Sequence, residues 1–288
     1  MGNGPPDRGE FFRAHIISVT RALTERAITG KAHTTPHDRY ERQPSPTLAL
    51  GLWTVGAARG YRRRVLIAED VLLLLVDDTT GRFLVDSTRL DNVLAGAVLV
   101  ELATIEHVGF ASEGGRLKRG RIVVLNPTPP GDPVLDRALA TVAASRPGKP
   151  EQLIAKLRKR LRSTLLERLT AAGALRRSTR KVMGILPRTT WPAVDAGHRR
   201  ELRARLQDVL VAGATPDGRT AALVSLLAAV KAVHKVVDGD KKAVQARAKD
   251  IAAGDWAGAA VKKAIDAVNA SIAIIIAVGA AGAAGAGR

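Results

Sequence analysis

Hydrophobic positions along the chain fall into two regimes that change at Val65. Before it, apolar bursts such as "LALGLWTVGAA" are scattered among Pro, Gly, His and Arg with no sustained period. Residues 1–64 are therefore expected to form a poorly structured extension, with a helix-compatible stretch around Phe11–Ile28 that nothing obliges to pack. After Val65 the pattern becomes regular. Val71–Val76 is an unbroken apolar run that ends on Asp77-Asp78 and the turn signal "DDTTG". The short segment "RFLV" leads into "DSTRLD", where Asp86 or Ser87 is placed to cap a helix from about Thr88 by accepting an unpaired first-turn amide. That helix carries Leu90, Val93, Leu94, Ala97, Val98 and Leu102 on one broad apolar face, so it should be buried.

Segment 108–125 holds a Gly-rich turn before a β-branched run and predicts a short hairpin or edge strand. "NPTPPGDPVLDRALATV" is a proline-rich connection into a helix capped by Asp132, with Pro133 at its first position. From Pro150 to Gly173 a single helix is expected, with Leu153, Leu157, Leu161, Leu165 and Leu169 at four-residue spacing. "ALRRSTRKVMGILPRTTWP" reads as two extended pieces around a polar tip at Arg176–Arg180. Helices follow over Asp195–Ala212, Gly218–Val237 and Lys241–Ala253, then from Trp256 to near Ala277. The fold class is mainly α: a single helical domain over 65–288 with one or two short β-hairpins.

Charge narrows the choice of partner. The chain has 288 residues and a formal net charge of +18, which favours nucleic acid, anionic lipid or an acidic protein surface. The absence of cysteine excludes disulfides, thiolate metal sites and cysteine nucleophiles, and the six histidines lack metal-ligand spacing. No metal or cofactor is expected. The first 30 residues have no signal-peptide pattern. The terminal "NASIAIIIAVGAAGAAGAGR" is at the lower edge of spanning length, and its Gly/Ala half predicts a buried final helix with a frayed tail.

Within the excess charge one stretch stands out. "KLRKRLR", residues 156–162, places five cations in seven positions, and residues 151–190 hold 11 Lys/Arg against two acids. On a helix advancing about 100° per residue, the leucine line fans over about 160°. Lys156, Lys159 and Arg160 fall opposite it and Arg162 lies at its margin, so the cations share an outward face suited to an anionic surface.

Four segments, "LIAEDVLLLLVDDTTGRFLVDSTRLDNVLAGAVLVEL" (66–102), "NPTPPGDPVLDRAL" (126–139), "LRKRLRSTLLERLTAAGAL" (157–175) and "DGRTAALVSLLAAV" (217–230), resemble in order and spacing the Golgi phosphoprotein 3 family. The Asp-Asp-x-x-Gly turn and "PRTTWP" are closest to its bacterial members. The resemblance implies a helical, peripheral membrane protein that binds a phosphatidylinositol 4-phosphate headgroup. It also implies a first motif opening at Val65, so that residues 1–64 are an extension or reflect an upstream start. Intact-mass analysis of the native protein distinguishes these. In eukaryotic members a tryptophan, an arginine one helix on, and two arginines three apart hold the headgroup. Here those positions fall on Asp86, Ala95, Lys159 and Arg162. The hairpin after the basic helix serves the family in membrane insertion and self-association, which here implicates Arg177, Arg180, Lys181, Met183, Ile185 and Leu186, beside Arg176. Packing of the apolar members inward is the alternative.

Aromatic residues are only 3%, and no helix-turn-helix, RNP or zinc-finger spacing is present, so specific nucleic-acid recognition is not expected. Nonspecific phosphate attraction is the rival reading. Asp77 and Asp78 read as the end of an apolar run rather than a catalytic pair, and Glu101 as a buried carboxylate needing an arginine or backbone partner. "GATPDGRT" lacks the Lys-Ser/Thr of a phosphate-binding loop. The expectation is a non-enzymatic, cytoplasmic protein on the inner face of the membrane. Anionic lipid would be its partner, with a homo-oligomer through the hairpin as a further option.

Overall fold

The computed structural model describes residues 64–111, 120–182, 186–254 and 259–285, all within the unit Gly51–Arg288. The expected N-terminal extension, Arg64 apart, lies outside them. The observed architecture is mainly helical with two antiparallel two-stranded hairpins.

Helix α1, Ile67–Leu74, is buried along all eight residues. A bridge between Val76 and Phe83 closes the turn that follows it. Helix α2, Ser87–Thr104, is capped by Asp86, whose carboxylate accepts the Arg89 amide at 2.9 Å. It is buried continuously from Asn92 to Ala103. A helix apolar on every side must be enclosed by others. Helices α3 (Pro133–Ala143), α4 (Pro150–Leu157), α5 (Leu161–Ala171), α7 (Gly218–Ala229) and α9 (Ala259–Gly285) accordingly join α1 around it. Gly96 permits the closest approach, since a Cβ there would stand 2.7 Å from Val268 Cγ1 and 2.9 Å from Ile272 Cδ1 of α9.

Asp132 caps α3 through the Val134 amide, with Pro133 at the first helical position as expected. Strands β1 (Val108–Phe110) and β2 (Ile122–Val124) form the first hairpin, in the segment where the sequence predicts one. Helices α6 (Gly197–Leu210) and α8 (Lys241–Ala253) complete the set.

Four expectations are corrected. The helix over 150–173 is two helices, because α4 ends at Leu157 and Arg160 takes a left-handed backbone, φ 61°, before α5 begins. Leucines spaced by four advance about 40° per step around a helix, so one straight helix would carry the line off any flat core. The break resets it, and all five leucines are buried. The strained turn is held locally: the Arg160 carbonyl accepts both the Ser163 and Thr164 hydroxyls, at 2.8 and 3.0 Å. In the second hairpin, β3 is Ser178–Val182 and β4 is Leu186–Thr190. Arg176–Arg180 is therefore not its tip, and Arg180 lies opposite Arg188 within the ladder. Helix α7 stops at Ala229, well before Val237, and Lys231 (φ 57°) turns the chain into a short 3-10 segment at Val233–Lys235. Finally α9 runs on to Gly285, since its alanines sustain helix past Ala277. Among the described residues no helix is long and apolar enough to cross a membrane.

One polar cluster is embedded in this core. Glu69 and Asp70, in the first turn of α1, are 0% and 1% exposed, and Glu101 of α2 is 1% exposed. Arg168 of α5 reaches Glu69 at 3.3 Å and grips Asp132 with two hydrogen bonds of 2.8 Å. Asp70 accepts Arg219 of α7 at 2.6 Å and contacts His198 Nε2 of α6 at 2.7 Å. Glu101 accepts the Ile67 amide at 2.6 Å and pairs with Arg64 at 3.0 Å, the arginine and backbone partners that its burial demands. These contacts staple α1 to α2, α5, α6 and α7.

Candidate functional site

The break at 158–160 decides where the cations point. Lys159 and Arg160 sit exposed on the turn itself. Lys156 is also exposed, but its ammonium donates to Ser145 Oγ at 2.9 Å. Arg162, half-buried in the first turn of α5, brings Nε to 3.2 Å from Asp91 Oδ1 of α2. Of these four, Arg162 is the one that lines a concave site.

That site is a cleft of about 540 Å3 along α5. Its walls are Arg162, Ser163, Leu166, Glu167, Thr170 and Ala171 of α5, with Arg177 and Trp191 from either side of the second hairpin. Residues 163, 166, 167 and 170 recur at helical spacing and so present one face. The hairpin ends are tied to each other and to the Asp77–Gly81 turn. Arg176 donates its amide to the Pro192 carbonyl, Leu175 bridges Ala193, and the Trp191 amide donates to the Gly81 carbonyl at 2.7 Å. Gly81 has φ 63°, and a Cβ there would meet the Pro192 nitrogen at 2.7 Å. The Asp77–Gly81 turn thus seats Trp191 at the cleft.

The turn is itself well ordered chemically. The Thr80 hydroxyl and amide both donate to Asp77 at 2.7 Å and hold its carboxyl below its ordinary value. Asp78 pairs with Arg199 and Arg203 of α6. Burial pushes the Arg199 guanidinium down to about 10, with Arg203 beside it adding to the effect. Both aspartates thus have partners close to the turn.

Of the residues expected from sequence, the structure brings Arg162 and Arg177 together and leaves Lys156, Lys159 and Arg160 outside the cleft walls. Strand positions Arg180, Lys181 and Leu186 are placed in the ladder by backbone only, while Met183 and Ile185 lie outside the described residues. Asp86 is occupied as a helix cap and Ala95 is fully buried. An arginine at position 95 would have to enter the core. Sequence reasoning missed Trp191, Ser163, Glu167 and Thr170. The available signal for Trp191 was its rarity, as one of three tryptophans in an aromatic-poor chain. Its position far along the chain hid its nearness to α5.

The cleft offers two guanidinium groups against one carboxylate, Glu167, together with hydroxyls and an indole beside apolar neighbours. That set suits an anionic group attached to a partly apolar body. Its volume lies within the range of small-ligand sites, about 300–1,000 Å3. Among the described residues no cluster of side chains could hold a metal ion. No individual curated protein matches the chain. The family model of Golgi phosphoprotein 3 (GPP34) matches residues 67–268, and the chain belongs to that family.

Proposed function

We propose that this protein docks reversibly on anionic membrane by seating a phosphorylated lipid headgroup, of the phosphatidylinositol 4-phosphate type, in the cleft of Arg162, Arg177 and Trp191. The observation that carries the reading is the convergence of two arginines and an indole on one face of α5. The guanidinium groups supply planar forks for phosphate oxygens. The indole stands where a headgroup ring can lie, taking the part of the tryptophan that Asp86 replaces. Outside the cleft, Lys159 and Arg160 add attraction to the surrounding anionic leaflet, each on the order of 1 kcal/mol. The second hairpin then contributes a further contact, either with the bilayer or with a second copy. On this reading the protein is a non-enzymatic peripheral component of the inner, cytoplasmic membrane face.

Vesicle flotation tests it. Recovery should be higher on phosphatidylcholine vesicles containing phosphatidylinositol 4-phosphate or phosphatidylglycerol than on phosphatidylcholine alone. Arg162→Ala/Arg177→Ala should weaken binding by about 2 kcal/mol, roughly thirtyfold. Equal recovery on neutral and anionic vesicles, or an unaffected double variant, counts against the proposal. A mobility shift of DNA at moderate salt without vesicle binding points to the nucleic-acid rival instead.

A further inference from the structure

The headgroup reading leaves one contact unexplained, which is that the cation deepest in the cleft is already engaged. Arg162 Nε lies 3.2 Å from Asp91 Oδ1, and the side chains are only 33% and 25% exposed. Oδ1 is shut away from solvent and forms no well-aligned hydrogen bond. Arg162 is therefore its ionic partner. The contact is made by Nε, so a lipid phosphate that draws the whole guanidinium into the cleft takes the counter-ion from a carboxylate oxygen shut away from water.

We propose that Asp91 is a resident counter-ion of the cleft, holding Arg162 in the empty protein and releasing it to an anionic headgroup as Asp91 takes up a proton. The inference rests on the headgroup reading and deepens it: docking becomes proton-coupled. Deprotonated Asp91 competes with the incoming phosphate for one guanidinium. Protonated Asp91 no longer competes, and its neutral form suits the enclosed oxygen better than an unpaired charge would. Burial already raises the Asp91 carboxyl above its ordinary value, against the pull of Arg162 and Arg158. Withdrawal of Arg162 toward a phosphate raises it further.

The charges acting on Asp91 come from one side, Arg162 of α5 and Arg158 of the turn before it. On its own helix Arg89 is turned to Asp86 at 3.4 Å. Among the described residues, none of the other helices packed on α2 places a charge that shifts Asp91. Glu167 shares the cleft, so any pH effect must be assigned by comparing variants.

The test uses the full chain with vesicles of phosphatidylcholine alone and of phosphatidylcholine mixed equally with phosphatidylglycerol, whose phosphodiester stays ionised. Asp91→Asn should bind the anionic vesicles more tightly at neutral pH, by up to about fivefold, the strength of a partly exposed ion pair. Wild-type binding should strengthen as pH falls through the Asp91 titration, and Asp91→Asn should lose that dependence. Titration calorimetry of the wild type in buffers of different ionisation enthalpy should show net proton uptake on binding. Absence of uptake overturns the proposal with no variant needed, and uptake that persists in Glu167→Gln excludes Glu167 as its source even if Asp91→Asn folds poorly. Binding that depends on Arg162 but shows no proton uptake, or an Asp91→Asn variant with wild-type affinity and pH profile, overturns the counter-ion proposal and leaves the headgroup reading standing. Binding that is indifferent to vesicle charge and to Arg162→Ala/Arg177→Ala overturns both.

Discussion

Replacing Arg168 with leucine should lower the unfolding free energy by roughly 3–5 kcal/mol, the cost of breaking a buried ion pair from one side. Arg168 is 16% exposed and serves two carboxylates at once: Glu69, which is 0% exposed, and Asp132, which caps α3. Leucine fills part of the volume but removes the guanidinium that Glu69 and Asp132 share. Lysine at the same position keeps a charge and loses the planar fork, so Arg168→Lys should fall between the two. Chemical denaturation with an unchanged slope checks both variants.

The same contact sets part of the pH dependence. Burial pushes the Asp132 carboxyl upward, but the two hydrogen bonds from Arg168 and the amides of Val134 and Leu135 outweigh it and hold the group below its ordinary 3.8. A group depressed in the folded state stabilises above its unfolded value, and the stabilisation is lost as pH falls through the folded value. Acid unfolding of the wild type should therefore steepen below about pH 4. Arg168→Leu should remove this share of the acid dependence while lowering stability at neutral pH.

Gly81→Ala should cost about 2–4 kcal/mol, combining a left-handed backbone that alanine disfavours with an overpacked contact. At φ 63° the added Cβ would lie 2.7 Å from the Pro192 nitrogen and 3.0 Å from the Trp191 carbonyl carbon. Both are backbone atoms, so relief requires the 191–192 segment to move away, carrying the indole out of the cleft. Loss of anionic-vesicle binding should therefore accompany the fall in melting temperature. In Trp191→Ala, by contrast, binding should fall with less loss of stability, because the turn remains intact. Near-equal melting temperatures for wild type and Gly81→Ala would show that the segment yields freely.

The sequence was most informative where a local rule is sufficient. Asp132 and Pro133 start α3 because a carboxylate cap and a preset proline φ act within three residues. Lys241–Ala253 is helical to its predicted ends because Asp240 caps it and its apolar residues keep one period. Burial of α2 was legible because Leu90, Val93, Leu94, Ala97, Val98 and Leu102 share a broad apolar face, while its enclosure from Asn92 to Ala103 came only with the packing. Local rules failed at the basic stretch. The four-residue leucine spacing fits one long helix, and only the requirement that all five leucines reach a common core forces the left-handed Arg160. The hairpin tip was misplaced because Arg and Thr are compatible with both turn and strand.

The candidate site divides along the same line. The amino-acid order alone determined the helical class, the buried second helix and the concentration of cations over 151–190, because composition and period are properties of the chain itself. Only the tertiary structure decided which cations matter together. Arg162 faces Asp91 from 71 residues away, and Trp191 reaches α5 because Gly81 seats it. These are long-range contacts with no sequence period, and they exist only once α1, α2 and α5 have packed.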